Sequence, residues 1–100
     1  MKKTRIAILG NDKYGLYYGE VLSFDVTTKT AEVANCRHIC RWYGKTGGIT
    51  SLAAYGLCGP NSANSRIGAP VKHATLTGIV NIFDCTIAAQ KSIEQAPQNE

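Results

Sequence analysis

The segment AEVANCRHICRWY, residues 31–43, decides the fold, because its side chains alternate as in a β-strand but the alternation changes phase within it. At its start Val33 is the apolar residue expected to face the core, and Glu32 is the polar residue expected to face solvent. The phase reverses near Asn35, and a β-bulge produces such a reversal because it adds one residue to a strand. The side chains predicted to face the core beyond this point are Cys36, His38, Cys40 and Trp42. Those predicted to face outward are Arg37, Ile39, Arg41 and Tyr43.

The residues before this strand predict its partner in a hairpin. In GLYYGEVLSFDV, residues 15–26, apolar side chains recur at every second position, which indicates a half-buried strand. The polar sequence TTKT, residues 27–30, supplies the turn, so residues 17–43 are expected to form a β-hairpin. The short apolar run at residues 6–9 is expected to be a first strand.

Two helices and a further strand are predicted after the hairpin. One helix is expected in ITSLAAY, residues 49–55, ended by Gly56, and another begins after Thr86 and stops before Pro97. The β-branched and aromatic residues at positions 79–83 predict a central strand.

The predicted fold class is therefore α+β. We expect a small, mainly antiparallel β-sheet or partial barrel of about four to five strands, with a short middle helix and a C-terminal helix. A single domain is expected over residues 1–96, followed by a frayed tail at residues 97–100.

The composition indicates a small, mildly basic protein. A chain of 100 residues with a formal charge of +4 is expected to prefer an anionic partner, and a compact anion such as a nucleotide suits this charge as well as a nucleic acid does. No apolar stretch is long enough to cross a bilayer, so a cytoplasmic location is expected and no membrane partner. In that compartment the four cysteines are expected to be free thiols. The thin stability margin of a short chain favours a homo-oligomer.

A metal site is one alternative interpretation of residues 36–40. Cys36, His38 and Cys40 on one side of a strand, with Cys58 or Cys85 as a fourth ligand, would supply the donor types that zinc accepts. Side chains two residues apart on a strand are separated by about 7 Å, and no C-x2-C pair is present. Buried thiols are therefore the favoured interpretation, and no metal or cofactor is expected.

A phosphate-binding turn is the other alternative. The sequence GKT at residues 44–46 ends like a Walker A motif, but Ile39 stands where the first glycine of that motif belongs. Two interpretations stay open: an anion site formed by Lys45 and Thr46 before a helix N-terminus, and a plain glycine-rich turn with a solvated lysine.

The side chains predicted to face outward from the strand, among them Arg37, Arg41 and Tyr43, predict a ligand site. Arginine can grip phosphate through two parallel hydrogen bonds, and tyrosine can stack on a base. The loop NSANSRIG, residues 61–68, has the composition of a ligand clamp, although a plain connection and a solvated strand face are the alternatives. We expect binding rather than catalysis, because the two histidines and seven carboxylates offer no recognisable catalytic constellation.

Three segments resemble a family of short, uncharacterised phage-encoded proteins: NCRHICRWYGKTGGITSLAAYG, SRIGAPV and LTGIVNIFDCTIAAQKSIEQAP. The shared pattern runs A-R-x-I-x-x-W-x-G, then L-x-x-L-A-x-x-G, a variable loop, a strand and a final T-x-x-A-x-x-x-I helix. The residues at pattern positions are Arg37, Ile39, Trp42, Gly44, Leu52, Ala53, Gly56, Ile82, Thr86 and Ile93. The resemblance extends over residues 15–95.

This resemblance implies a phage protein in the cytoplasm of a bacterial host. Small oligomeric phage proteins of similar build act as sponges that bind cyclic oligonucleotide or cyclic ADP-ribose signals of antiphage defence without cleaving them. By this analogy Arg37, Arg41, Lys45 and Arg66 would neutralise phosphates, Tyr43 or Tyr55 would stack on a base, and Thr46, Asn64 and Ser65 would read its polar edge. The alternative function is a small β-rich module that binds nucleic acid or a host protein.

Overall fold

The computed structural model describes residues 5–12, 15–43, 48–59 and 62–97. The elements in chain order are β1 (Ile6–Asn11), β2 (Leu16–Asp25), β3 (Thr30–Arg41), α1 (Ile49–Tyr55), a 3-10 turn (Ser62–Asn64), β4 (Arg66–Ile67), β5 (Val71–Leu76), β6 (Ile79–Asp84) and α2 (Ile87–Glu94). The predicted α+β class is confirmed, with six strands in an open antiparallel sheet and the two helices in the predicted places. The described residues contain no helix that is long and apolar enough to cross a membrane.

The sheet has the order β4-β3-β2-β1-β6, and β5 also pairs with β3. The prediction of a central strand at residues 79–83 is wrong, because β6 pairs with β1 alone among the described strands and forms an edge of the sheet. Its apolar residues are instead explained by a shared core. Ile79 from β6 and Leu76 from β5 lie in one cluster with Leu9 and Val33, so the sheet curls and both of its edges contribute to the same interior.

A second cluster lies between the other face of the sheet and the helices. Ile8 and Ile39 from the strands pack there with Leu52 of α1 and Ile93 of α2, all at most 4% exposed. The ends of the helices are joined by Thr86, whose side chain caps α2 by accepting a hydrogen bond from the backbone N–H of Ala89. Both faces of the middle strands are consequently covered.

The β-bulge predicted near Asn35 is confirmed. Tyr18 pairs with Arg37 but Glu20 pairs with Ala34, so three steps along β3 match two along β2, and Asn35 has a φ of +52°. Gly19 of β2 lies opposite the bulge, where a Cβ atom would approach the carbonyl oxygen of Ala34 to 2.9 Å. The close approach of the two backbones therefore requires a glycine there.

The predicted facing of side chains beyond the bulge is wrong for Arg37, His38, Ile39 and Cys40, whereas Arg41 and Tyr43 are exposed as predicted. Arg37 and Ile39, which were expected to face outward, are each 4% exposed, whereas His38 and Cys40 are exposed. Only Cys36 is fully buried as predicted, while Trp42 is half-buried. The reason is that the helices cover the face that was assigned to solvent. Beyond the bulge the face that carries Arg37 and Ile39 is buried and the face that carries His38 and Cys40 is exposed, so the polarity of a side chain does not indicate its facing there.

Candidate anion-binding site

A polar cleft of about 380 Å³ lies where β3 ends beside β4. Its lining residues are Arg41, Tyr43, Ala63, Asn64, Ser65 and Arg66, and we call it the anion cleft. Five of these six residues belong to the site predicted from the sequence. The structure thus brings together the end of one strand and a loop more than twenty residues further along the chain.

Local hydrogen bonds fix the loop against the strand. The backbone N–H of Tyr43 donates to the hydroxyl of Ser65 at 3.0 Å, and the backbone N–H of Ser65 donates to the carbonyl of Ser62 at 3.0 Å. Ser65 is only 6% exposed. Its hydroxyl therefore holds the cleft in shape, which differs from the predicted role of reading a ligand.

Arg41 and Arg66 are opposite each other in the pairing of β3 with β4. Directly opposed side chains on antiparallel strands have Cβ atoms about 5 Å apart, and like charges in this position destabilise the sheet by up to about 1 kcal/mol. Both arginines are exposed, and neither forms an ion pair within the described part of the chain. None of the residues that line the cleft is a carboxylate. Two adjacent positive charges without a counter-charge form a site that favours an anion.

The remaining predicted site residues are Arg37, Lys45, Thr46 and Tyr55. Lys45 and Thr46 lie outside the described residues, as do positions 98–100 of the predicted tail. Tyr55 is the last residue of α1, is 53% exposed, and is not among the lining residues of the anion cleft.

Arg37 lies inside the protein, where it joins β3 to the end of α2. Its Nε donates to the carbonyl oxygen of Gly68 at 2.7 Å and its Nη1 to that of Ile93 at 2.8 Å. A cation suits the C-terminal end of a helix, where carbonyl groups lack partners within the helix. Burial lowers the pKa of Arg37, although the neighbouring Tyr18 acts in the opposite direction. Its Nη2 is buried and has no acceptor among the described residues, and an unpaired buried donor costs about 1–3 kcal/mol.

The sequence analysis missed a pairing of His38 with Cys40 on the surface. The Sγ atom of Cys40 lies 3.3 Å from Nδ1 of His38, and the imidazole ring packs 5.1 Å from the ring of Tyr17. The alternation of the strand predicts both residues in the core, because they share the parity of Cys36 and Trp42. Within the described ranges, no group of three or more metal-binding side chains occurs.

The four cysteines are free, and their reactivity is expected to follow their environment. Brief treatment of the folded protein with iodoacetamide at about pH 8 should alkylate the exposed Cys40 first, because the thiolate is the reacting form. Burial raises the pKa of Cys36 to about 11, and burial with the nearby Asp84 and Glu94 raises that of Cys85 to about 12. Peptide mass spectrometry measures the order, with urea-unfolded protein as the control in which all thiols react alike. Equal rates for Cys40 and Cys85 in the folded protein would contradict the structure.

Comparison with known proteins identifies the family of the chain. No curated protein and no solved structure matches it. One family model, described as a domain of unknown function (DUF6948), matches residues 4–93 and therefore spans every strand of the sheet and almost all of α2. The chain belongs to the DUF6948 family.

Proposed function

We propose that the protein binds a nucleotide-type anion in the anion cleft and sequesters it without changing it chemically. The observation that carries the proposal is the opposed pair Arg41 and Arg66, with no carboxylate among the lining residues. A phosphate placed between the two guanidinium groups would replace their mutual repulsion with charge-assisted hydrogen bonds.

Two further side chains favour a nucleotide over a bare phosphate. The ring of Tyr43 is 36% exposed and can stack on a base, and Asn64 can donate and accept hydrogen bonds at the polar edge of that base. Because Ser65 already holds the backbone of Tyr43, less conformational freedom is lost when the ligand binds.

The lining of the cleft supports binding without turnover. It contains no histidine, cysteine or carboxylate that could act as a general base on a bound phosphodiester. The hydroxyl of Ser65 already accepts a hydrogen bond from the backbone. A bound ligand would therefore be held rather than cleaved.

The biological role that we propose follows from the resemblance to phage-encoded proteins. A protein that holds a cyclic oligonucleotide or a cyclic ADP-ribose isomer would lower the free concentration of this immune signal in the host cytoplasm. Antiphage defence that depends on the signal would then be inhibited in proportion to the amount of protein present.

Isothermal titration calorimetry of the full chain against cyclic di- and trinucleotides and cyclic ADP-ribose isomers tests the proposal. We expect saturable binding of at least one ligand: two charge-assisted contacts and one stacked base contribute about 4–9 kcal/mol before the cost of association is subtracted, so a micromolar dissociation constant, which needs about 8 kcal/mol, requires a preorganised cleft. The matching unphosphorylated nucleosides should not bind. After heat denaturation of the complex, chromatography should recover the ligand intact. Failure of every ligand to bind, or recovery of a linear product, would refute the proposal.

The salt dependence of binding distinguishes a nucleotide from a nucleic acid. With two phosphate contacts in the cleft, the logarithm of the binding constant should fall by only about 1.4 for each tenfold rise in salt concentration. A single-stranded oligonucleotide that bound more tightly than every nucleotide, with a slope of about −3 or steeper, would favour the nucleic-acid-binding alternative.

A further inference from the structure

A second cleft, of about 340 Å³, lies beside the β-bulge and the end of α2. It is lined by residues of β2 and of the bulge on β3, by Glu94 at the end of α2, and by the apolar side chains of Ile6 and Pro70. Its size is within the range of cavities that hold small molecules. We call it the Arg37 cleft, because Arg37 is its only cation among the residues that line it.

Arg37 provides an unused hydrogen-bond donor in this cleft. The side chain is 4% exposed, and two of its nitrogens are bound to backbone carbonyl groups. The third, Nη2, is buried and meets no acceptor within the described part of the chain. Buried polar groups in proteins are nearly always paired, so an unpaired guanidinium nitrogen on a residue that lines a cleft indicates an acceptor supplied by a ligand.

Two carboxylates line the same cleft. The hydroxyl of Tyr18 donates to Oε2 of Glu94 at 2.6 Å, which orients this carboxylate while leaving its second oxygen for another partner. Glu20 makes no side-chain hydrogen bond in the described residues. The ion pairs present there are Arg5 with Asp84 and His73 with Glu32, so neither carboxylate of the cleft is paired with a cation. Two carboxylates and one guanidinium give the cleft a formal charge of −1.

We propose that the Arg37 cleft binds a basic amino acid or a ligand of the same chemistry, with one carboxylate and two cationic groups. The ligand carboxylate would accept hydrogen bonds from Arg37, and its cationic groups would donate to Glu20 and Glu94. Such a ligand has a net charge of +1 and complements each charged group of the cleft. The two glutamates would repel a phosphate, so this site is distinct from the anion cleft.

Three probes of similar size test the proposed ligand chemistry by calorimetry on the full chain. L-arginine should bind with saturation at one site per chain. L-citrulline has the same shape but lacks the side-chain cation, and agmatine lacks the carboxylate. Each should bind at least about ten times more weakly than L-arginine, which is the loss expected for one charge-assisted contact. Absence of saturable arginine binding, or equal affinity for arginine and citrulline, would overturn the proposal.

A matched pair of variants locates the binding to the cleft. Glu20→Gln keeps the size of the side chain and removes its charge, so we expect arginine affinity to fall at least about fivefold while the thermal midpoint is unchanged. Glu32→Gln makes the same chemical change on β3, at a residue that does not line the cleft, and should bind arginine as the parent protein does. A loss of affinity in Glu32→Gln that equals the loss in Glu20→Gln would indicate nonspecific charge effects and overturn the assignment.

Discussion

Replacing Arg37 by methionine is expected to lower the free energy of unfolding by about 3 kcal/mol, because two charge-assisted hydrogen bonds are lost and the carbonyl oxygen of Gly68 loses its donor, while that of Ile93 keeps the backbone N–H of Ala96. Methionine fills similar space, so the loss measures the hydrogen bonds more than a cavity. Arg41→Met is the matched control on the same strand. It removes an exposed arginine and should change the free energy by no more than about 0.5 kcal/mol.

Urea unfolding followed by circular dichroism measures both variants. The shift in midpoint, at unchanged slope, gives the difference in stability. This comparison distinguishes a buried Arg37 from an outward-facing one. An outward-facing arginine could be replaced with little change in the free energy of unfolding. A similar small effect in both variants would show that the buried position of Arg37 is wrong.

Removing both arginines of the anion cleft is expected to weaken nucleotide binding by about a hundredfold, and removing either one by about tenfold, since each charge-assisted contact contributes about 1.5 kcal/mol or more. The effect on stability should have the opposite sign. Arg66→Gln relieves the repulsion from Arg41, so the free energy of unfolding should stay the same or rise by up to about 0.5 kcal/mol.

The control for this experiment is Lys72→Gln, which removes an exposed cation from β5 outside the cleft. Calorimetry with the ligand found for the parent protein, at one fixed salt concentration, measures all variants. A loss in Lys72→Gln as large as in Arg66→Gln would mean that net charge, and not the arginine pair, determines affinity. A marked loss of stability in Arg66→Gln would mean that this arginine has a structural role.

Local sequence signals were sufficient for most elements of the fold. The turn between β2 and β3, the cap at Thr86 and Gly56 at the end of α1 each act through neighbouring residues, so they could be predicted without knowledge of distant contacts. The order in which the strands pair was harder to predict from the sequence. Gly78, with a φ of +66°, divides residues 71–84 into β5 and β6, which lie at opposite edges of the sheet.

The residue types of the candidate site could be predicted from the sequence, but not all of the residues that belong to it. Arg41, Tyr43 and the loop residues Asn64 and Arg66 were found because polar residue types on a strand end and a glycine-rich loop point to a surface site. The hydrogen bonds of α2 with Tyr18 through Glu94 and with Arg37 through the carbonyl of Ile93 could not be found in this way, because the partners are 76 and 56 residues apart in the sequence.

The sequence by itself determined that a strand with a bulge near Asn35 lies within residues 31–43 and that Arg37 and Arg41 follow the bulge. Only the tertiary structure decided which face of this strand is buried. The reason is physical: alternation divides the side chains beyond the bulge into two sets but does not say which set the helices cover, and α1 and α2 cover the set that contains Ile39. Arg37 is therefore held inside by the end of a helix, while Arg41 remains at the surface to meet an anion.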